Sequence, residues 1–259
     1  MNPDTAHSPP DPATGEGPAE LVTLHVWRVP RKALPRALVR MAVDPRRLRA
    51  VDGVRFGKLL GTGTGTGFGP GDADPTRWAA LTVWDSPGAA AGFDTSPVGL
   101  AWARIATSAV RVDLRPLTSR GEWSGRRPFG DPPGGRSEGP VLALTRARLR
   151  PSRAVTFWRA VPPVAAALHA APGLLARFGV GEAPVGWQGT VTVWRDPADL
   201  VRFAYRQPEH RAAITRTESA GWYAEELFAR FAIRDVVGDR TVLGWVAGGD
   251  VEETKGGQA

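Results

Sequence analysis

The side chains that could do chemistry in this sequence are few, and histidine is the most informative of them. The chain of 259 residues contains four histidines and no cysteine. Without cysteine, disulfides, thiolate-bound metals, iron–sulfur clusters and thiol nucleophiles are all excluded. A neutral imidazole is then the best remaining protein ligand for iron.

His210 is the strongest candidate among the four, because an internal repeat has a histidine at this position in one copy only. When Pro208 is matched with Pro97, the residue that corresponds to His210 is Gly99. A difference between two otherwise matching copies predicts an asymmetric site. His210 is therefore a candidate metal ligand or catalytic group, and a surface histidine on a helix is the alternative.

The other histidines have simpler interpretations. His7 lies in a proline-rich, acidic front segment that predicts disorder. His25 falls within a predicted strand, where alternation leaves its direction open. His169 lies near the end of a predicted helix, where an imidazolium interacts favourably with the helix dipole.

A run that alternates glycine with threonine follows the second predicted strand and includes Gly61, Gly63 and Gly65. The run fits neither the dinucleotide-binding pattern G-x-G-x-x-G nor a phosphate-binding P-loop. Because glycine lets backbone N–H groups approach a ligand closely, these three residues are candidates for cofactor binding. A flexible hairpin loop is the alternative.

Glu182 occupies the corresponding place in the second half of the chain, just after a predicted strand. The matching position predicts that it faces the same cavity as the glycine run, as a catalytic carboxylate. A solvated loop carboxylate is the alternative. The metalloprotease motif H-E-x-x-H is absent from the sequence. The pattern G-x-S-x-G occurs once, at Gly135–Gly139, but this match lies in the predicted connector and not at a strand-to-helix turn, so no hydrolase nucleophile elbow is predicted.

An internal duplication organises the chain. Thr82–Trp84 recurs as Thr192–Trp194, an offset of 110 residues. Further matches are Phe93 with Phe203, Ser86-Pro87 with Asp196-Pro197, and, at an offset of 122, Phe56-Gly57 with Phe178-Gly179. The two Ser/Asp-Pro pairs predict helix N-caps followed by proline at the first helical position.

Hydrophobic periodicity predicts strand, helix, strand, strand, helix and strand in each half. The predicted strands are Leu21–Val29, Val54–Leu60, Trp78–Trp84, Val110–Leu114, Val141–Leu149, Leu175–Gly181, Trp187–Trp194 and Phe231–Val237. The predicted helices are Lys32–Arg49, Pro87–Ala106, Arg153–Ala170 and Pro197–Arg230. This pattern predicts an α+β fold in which tandem ferredoxin-like βαββαβ repeats form a pseudo-symmetric, dimeric-type α/β barrel. We expect a small-molecule site between the two sheet faces, or between a sheet and its helices.

The same pattern predicts the organisation of the whole chain. It comprises a disordered tail (1–20), a first ferredoxin-like half (21–118), a connector (119–140), a second half (141–237) and a partly disordered C-terminal extension (238–259).

Composition narrows the function classes. With 42% hydrophobic and 23% charged residues, the chain is an ordinary globular protein. The net charge is +7, but the cations are scattered without a compact block, so we expect no nucleic-acid partner. A signal peptide and an apolar run long enough to span a bilayer are both missing, which predicts a cytoplasmic protein. Peripheral contact with a membrane and homo-oligomerisation stay open.

Three ordered motifs resemble the spheroidene monooxygenase family: Phe56–Gly63 (FGKLLGTG), Phe178–Pro184 (FGVGEAP) and Trp222–Phe231 (WYAEELFARF). Leu142 and Thr145-Arg146, followed by Phe157-Trp158, resemble the same family. The similarity extends over residues 21–237.

This resemblance implies a haem-dependent monooxygenase that oxidises a carotenoid or another apolar polyene to a hydroxy or keto product. It implies haem iron as the oxygen-activating group, for which His210 is the candidate ligand. Arg211 and Arg216 could pair with the haem propionates, or lie solvated on a helix. An electron donor is needed, and its identity is open.

Three other functions remain as alternatives on the same barrel. They are a haem-dependent lyase or dehydratase, a cofactor-free oxygenase, and a non-enzymatic module that binds haem or another ligand.

Overall fold

The computed structural model describes residues 19–65, 70–182, 187–206 and 221–245. The first half contains β1 (Leu21–Arg28), α1 (Leu34–Arg49), β2 (Val54–Gly63), β3 (Ala73–Trp84), α2 (Pro87–Ala91), α3 (Pro97–Ala103) and β4 (Ser108–Gly121). The second half contains β5 (Val141–Leu149), α4 (Ala154–His169), β6 (Leu174–Glu182), β7 (Trp187–Trp194), α5 (Pro197–Arg206) and β8 (Tyr223–Gly238).

The strands are antiparallel and close into a barrel in the order β1-β3-β2-β6-β7-β5-β8-β4. The order within the first half is β4-β1-β3-β2, and the order within the second half is β8-β5-β7-β6. Two strand pairs join the halves: β4 pairs with β8 along Val110–Gly121, whereas the described β2–β6 ladder covers Gly61–Gly63. The predicted mixed α+β class is confirmed. No helix in the described ranges has the length and apolar character needed to cross a membrane.

The interior of the barrel is filled by apolar side chains from both halves. Alternation along the strands turns Leu24, Phe56, Leu81, Phe178 and Phe231 inward, and none of them is more than 4% exposed. The prediction of a ligand cavity between two sheet faces is therefore wrong for the part of the barrel that the structure describes. The other predicted location, between a sheet and its helices, is the one that remains.

The outer face of the first sheet is covered by helices through a second, aromatic core. Trp27 of β1 stacks on Trp102 of α3, with ring centroids 5.1 Å apart. Phe93 lies against both Trp27 and Trp84. Ala37 and Leu48 of α1 are fully buried on the same face. This layer is a packed core.

Both predicted helix caps are confirmed. The Ser86 side chain accepts a hydrogen bond from the Ala89 N–H at 3.2 Å, at the start of α2. The Asp196 carboxylate accepts from the Asp199 N–H at 2.8 Å, at the start of α5. In each case a side-chain oxygen satisfies an N–H group that the helix itself leaves unpaired.

Two predicted helices are wrong in extent. The predicted helix Pro87–Ala106 is interrupted after Ala91 by a 3-10 turn over Phe93–Thr95, and Ser96 then begins α3 as a new N-cap with Pro97 at its first position. The predicted helical structure over Pro197–Arg230 is confirmed for α5 and is wrong from Tyr223, where strand β8 begins. The motif WYAEELFARF therefore lies mostly in a strand, whose alternate residues face the barrel interior.

The repeat also differs in register from the sequence match. Phe56 pairs with Val83, and the residue that pairs with the corresponding Val193 is Ala176. Phe178, which the sequence matches to Phe56, lies two residues further along β6. The structural offset between β2 and β6 is therefore 120 residues, and the shared Phe-Gly pair does not mark equivalent positions.

Candidate functional site

The residues predicted to hold iron lie outside the described residues. His210, Arg211 and Arg216 fall within 207–220, so their roles as metal ligand, catalytic group and propionate partners stay predictions. The described ranges include His25 and His169. Within those ranges, no group of three or more His, Asp or Glu side chains could hold a metal ion.

His25 is a buried residue of the aromatic core outside the first sheet. It is 3% exposed, and its ring centroid lies 4.2 Å from that of Phe93 and 5.8 Å from that of Trp27. Its Nε2 atom lies 3.6 Å from the Asp94 carboxylate. Burial lowers the pKa of His25, against the opposing effect of Asp94. The ring is therefore neutral at pH 7 and packed between aromatic neighbours.

His169 is an exposed residue at the last position of α4. Arg177 places its Nη2 atom 3.1 Å from His169 Nδ1. Because a guanidinium can only donate hydrogen bonds, Nδ1 acts as the acceptor. His169 is therefore attached to the edge of the second sheet by a neighbouring strand.

The three predicted glycines form part of a seam between the halves. Gly61 and Gly63 lie in β2 and pair with Gly181 and Gly179 of β6. Gly65 follows with a φ of +76°, and a Cβ atom there would lie 3.1 Å from the backbone nitrogen of Gly179. We call these five residues the glycine seam. Glycine is required by close backbone approach at Gly63 and by the left-handed conformation at Gly65.

Arg77 of β3 stabilises the glycine seam by hydrogen bonds from inside the barrel. Its Nη2 atom donates to the carbonyl oxygen of Gly63 at 2.7 Å, and its Nε atom to Thr62 Oγ1 at 3.1 Å. The guanidinium also lies over the Phe178 ring, 4.9 Å from the centroid. Burial lowers the pKa of Arg77, and nearby Asp74 opposes this effect. A buried cation thus connects β3 with β2 and β6.

Glu182 is a partly buried carboxylate with three donors, and it is not a solvated loop residue. Its side chain is 11% exposed. It accepts hydrogen bonds from Lys58 Nζ at 2.7 Å, Trp123 Nε1 at 2.6 Å and Arg146 Nη2 at 3.2 Å. The alternative of a solvated carboxylate is therefore wrong, whereas the predicted catalytic role stays a prediction.

Glu182 belongs to what we call the charged cluster, whose members are Lys58, Trp123, Arg146, Glu182 and Glu225. The Arg146 side chain is 2% exposed and also pairs with Glu225 through Nη1. The N–H groups of Ser124 and Gly125 each donate to Glu225 at 3.0 Å. Burial raises the pKa of Glu225, but these N–H groups and Arg146 outweigh it and hold the pKa below its ordinary value.

The charged cluster can hold two carboxylates in a mostly apolar barrel because two cations accompany them. Lys58 and Arg146 also lie over the Trp123 ring, 5.9 and 5.5 Å from its centroid. The members come from β2, β5, β6, β8 and the segment after β4, so both halves contribute. The arrangement fixes the indole of Trp123 and holds balanced charge at one region of the barrel wall.

Four members of the charged cluster were not predicted from sequence, namely Lys58, Trp123, Arg146 and Glu225. Strand alternation carries the signal that could have identified two of them. Lys58 stands between the inward-facing Phe56 and Leu60, and Arg146 follows the inward-facing Leu144 by two residues. A charged residue at an inward strand position needs a partner of opposite charge.

At three positions the outer face of the second sheet carries a smaller side chain than the first sheet does. Equivalent ladder positions pair His25 with Thr145, Trp27 with Ala147, and Leu59 with Gly179. We call Thr145, Ala147, Gly179 and Thr190 the flat face. Thr145 and Thr190 are half-buried, although both lie within central strands of the second sheet. The flat face borders the glycine seam, because Gly179 belongs to both.

The structure does not bring Glu182 to the flat face. Within β6, Phe178 and Val180 turn inward, and Glu182 follows on the same side. Gly179 and Gly181 present the opposite side of the strand. Glu182 therefore serves the barrel interior, and the predicted glycines Gly61, Gly63 and Gly65 lie beside the flat face.

Two relatives of known name resemble the chain over most of its length. Spheroidene monooxygenase of Rhodobacter capsulatus is 34% identical over 207 residues, which cover 78% of this chain and 84% of that protein. Spheroidene monooxygenase of Rubrivivax gelatinosus is 36% identical over 188 residues, which cover 72% of this chain and 71% of that protein. No protein-family model matches the chain.

Among solved structures, an aldoxime dehydratase superposes with a TM-score of 0.59 over 90% of both chains, at 12% sequence identity. At this level of identity the likeness concerns the fold alone.

Proposed function

Because the chain belongs to the spheroidene monooxygenase family, we propose that it oxidises an apolar polyene, a carotenoid in the first instance, to a hydroxy or keto product. The chain is an oxygen-using oxidoreductase, as its relatives are. The observation that carries the proposal is 34–36% identity to two enzymes that are both named for the carotenoid spheroidene.

We further propose haem as the oxygen-activating group, since protein side chains alone activate O₂ poorly. When bound, haem would supply the redox-active iron. The chain has no cysteine, which makes an imidazole the best protein ligand, and His210 remains the candidate. Arg211 and Arg216 are the proposed propionate partners.

The described residues fit a flat group at the flat face. Thr145, Ala147 and Gly179 occupy positions where the first half packs larger side chains, so a planar ring system can approach the strands there. The fourth residue, Thr190, corresponds to Ala80. Neither described histidine suits the iron, because His25 lies in the aromatic core of the other half and His169 is engaged by Arg177. The ligand is therefore sought in 207–220, which follows α5 on the same half.

The flat face and the glycine seam would then together line the place where the substrate binds. The small side chains provide a shallow surface, and the seam glycines Gly61, Gly63 and Gly65 bring backbone close to its edge. An apolar surrounding keeps water from the reacting polyene. Glu182 has no place in this proposal, because it faces the barrel interior.

Titration with hemin tests the cofactor. We expect a Soret band that saturates at about one haem per chain, loss of that band in His210→Ala, and retention in the matched variant His169→Ala. Thr145→Phe places an aromatic ring on the flat face, and we expect it to weaken hemin binding while circular dichroism stays unchanged.

Two outcomes would contradict parts of this proposal. Absence of a Soret band in the wild type would overturn haem as the cofactor, and full binding by His210→Ala would overturn His210 as the ligand. Conversion of a carotenoid is then tested with hemin-loaded protein and a chemical reductant. A loaded protein that leaves the polyene unmodified would overturn the substrate class.

We also propose that the two halves are ferredoxin-like repeats. The support is that both halves have the same strand succession, with equivalent strand pairs at offsets of 110 residues for β3 and β7 and 120 residues for β1 and β5.

A further inference from the structure

Helix α1 exposes large apolar side chains on its solvent side. Leu38 and Val39 are 60% and 61% exposed, and Val43 is 41% exposed. The four-residue spacing of Val39 and Val43 puts them on one side of the helix. Ala37 and Leu48, on the other side, are fully buried against the sheet. The solvent-side apolar residues therefore do not belong to the core.

The same helix is strongly cationic. Residues 31–49 contain seven cations and a single acid, Asp44. The cations are Arg31, Lys32, Arg36, Arg40, Arg46, Arg47 and Arg49. Asp44 is buried and pairs with Arg40 at 3.7 Å and Arg47 at 3.3 Å. The solvent side of α1 is therefore positive as well as apolar. We call this side the α1 face.

A surface groove of about 400 Å³ runs along the α1 face. Val39 and Val43 of α1 and Ile105, which follows α3, provide apolar lining. Arg36, Arg40 and Arg47 line the same groove. Apolar surface beside guanidinium groups matches the acyl region and the phosphate of an anionic phospholipid.

The second half provides an internal comparison. Helix α4 occupies the place of α1, and residues 151–169 contain two arginines, Arg153 and Arg159. The fold therefore does not require a cationic helix at this place. The concentration of positive charge on α1 is a property of one half, which the fold alone does not explain.

We propose that the α1 face docks on the surface of an anionic phospholipid bilayer. Leu38, Val39 and Val43 enter the boundary between headgroups and acyl chains, while the arginines bind lipid phosphates. The proposed function explains only why such docking would be useful: an apolar polyene partitions into a bilayer, and the docked protein would reach it there.

Vesicle sedimentation with the full chain, without added hemin, tests this docking. The vesicles contain phosphatidylcholine alone, or phosphatidylcholine with phosphatidylglycerol. We expect binding only to the anionic vesicles and release at high salt. The double variant Arg36→Gln/Arg46→Gln should weaken binding by about fivefold per arginine. Leu38→Ser/Val39→Ser should weaken it by about tenfold or more.

The matched controls are Val155→Ser and Arg159→Gln on α4. Val155 is 56% exposed, so its replacement removes a comparable apolar side chain from the other half. Both controls should bind as the wild type does, and all variants should keep its circular dichroism spectrum.

Three results would overturn the inference. The first is unchanged vesicle binding by both α1 variants, and the second is equal binding to neutral and anionic vesicles. The third is that only the arginine variant loses vesicle binding, while the wild type binds duplex DNA tightly. Because the readout needs neither haem nor turnover, failure of the proposed function would leave the result interpretable.

Discussion

Charged side chains inside a protein are tolerated when each is paired and hydrogen-bonded, and the charged cluster meets this condition with a balance of two cations and two carboxylates. Glu182 is the central member, because it contacts both Lys58 and Arg146. Removing it leaves Lys58 with the Ser124 hydroxyl as its described partner. The cluster is thus sensitive to the loss of a single carboxylate.

We expect Glu182→Gln to lower the free energy of unfolding by about 3 kcal/mol, because it leaves a buried cation without its counter-charge. Adding Lys58→Met should recover part of this loss, since it removes the cation that was left unpaired. Guanidinium denaturation of the single and double variants measures both effects.

The neighbouring acid Glu226 is the control for this experiment. Glu226 is 39% exposed and lies 3.8 Å from an exposed arginine, Arg120. Surface pairs of this kind contribute little, so Glu226→Gln should change stability by less than about 1 kcal/mol. Equal effects of Glu182→Gln and Glu226→Gln would contradict the importance of the cluster.

Among the elements, β2 and β6 meet through glycine, and the reason is geometric. The Cβ that any other residue would add at Gly63 lies 2.7 Å from the carbonyl oxygen of Asp72, and Gly65 adopts a positive φ. The glycine run thus has a structural use in closing the barrel, whichever ligand it contacts.

Gly65→Ala should therefore destabilise the protein by about 2 kcal/mol, from the left-handed backbone and the tight contacts with Phe178 and Gly179. Gly71→Ala is the matched control, because a Cβ there meets nothing within 4 Å. That control should leave stability unchanged or raise it slightly. Thermal unfolding distinguishes the two, and a loss of activity without a loss of stability in Gly65→Ala would favour a purely ligand-binding role.

The helix caps and most strands could be predicted from the sequence, whereas contacts between distant strands could not. Local signals were sufficient for the helix caps at Ser86 and Asp196, and for most strands. The first part of strand β8, before the predicted Phe231–Val237, was missed because it reads as a helix in isolation, and pairing with β4 and β5 decides its conformation. Glu182 was singled out, but its partner Lys58 is 124 residues away in sequence. Contacts of that separation depend on barrel closure, which no local pattern encodes.

For the whole molecule, the important property is that the two halves share one core. Leu24 and Leu81 come from the first half and Phe178 and Phe231 from the second, and all belong to the same buried cluster. Neither half can bury its inward side chains alone. The barrel is thus one structural unit, although the chain is built from two similar halves.

We expect the chain to unfold in a single cooperative transition. Tryptophan emission, which reports tertiary packing, should coincide with far-ultraviolet circular dichroism, which reports the secondary structure of both halves. Two separated transitions, or a soluble and folded fragment ending at Gly121, would show that the halves are independent.

Over the residues that the structure describes, the two joins between the halves are of unequal length. One strand pair holds them from Val110 to Gly121, whereas the other described ladder holds them at Gly61–Gly63. Local opening of the barrel should therefore begin at the shorter join, where fewer residue pairs must separate. Deuterium will reach the amides of β2 and β6 there before those of β4 and β8. The flat face lies beside the strand pair that should open first.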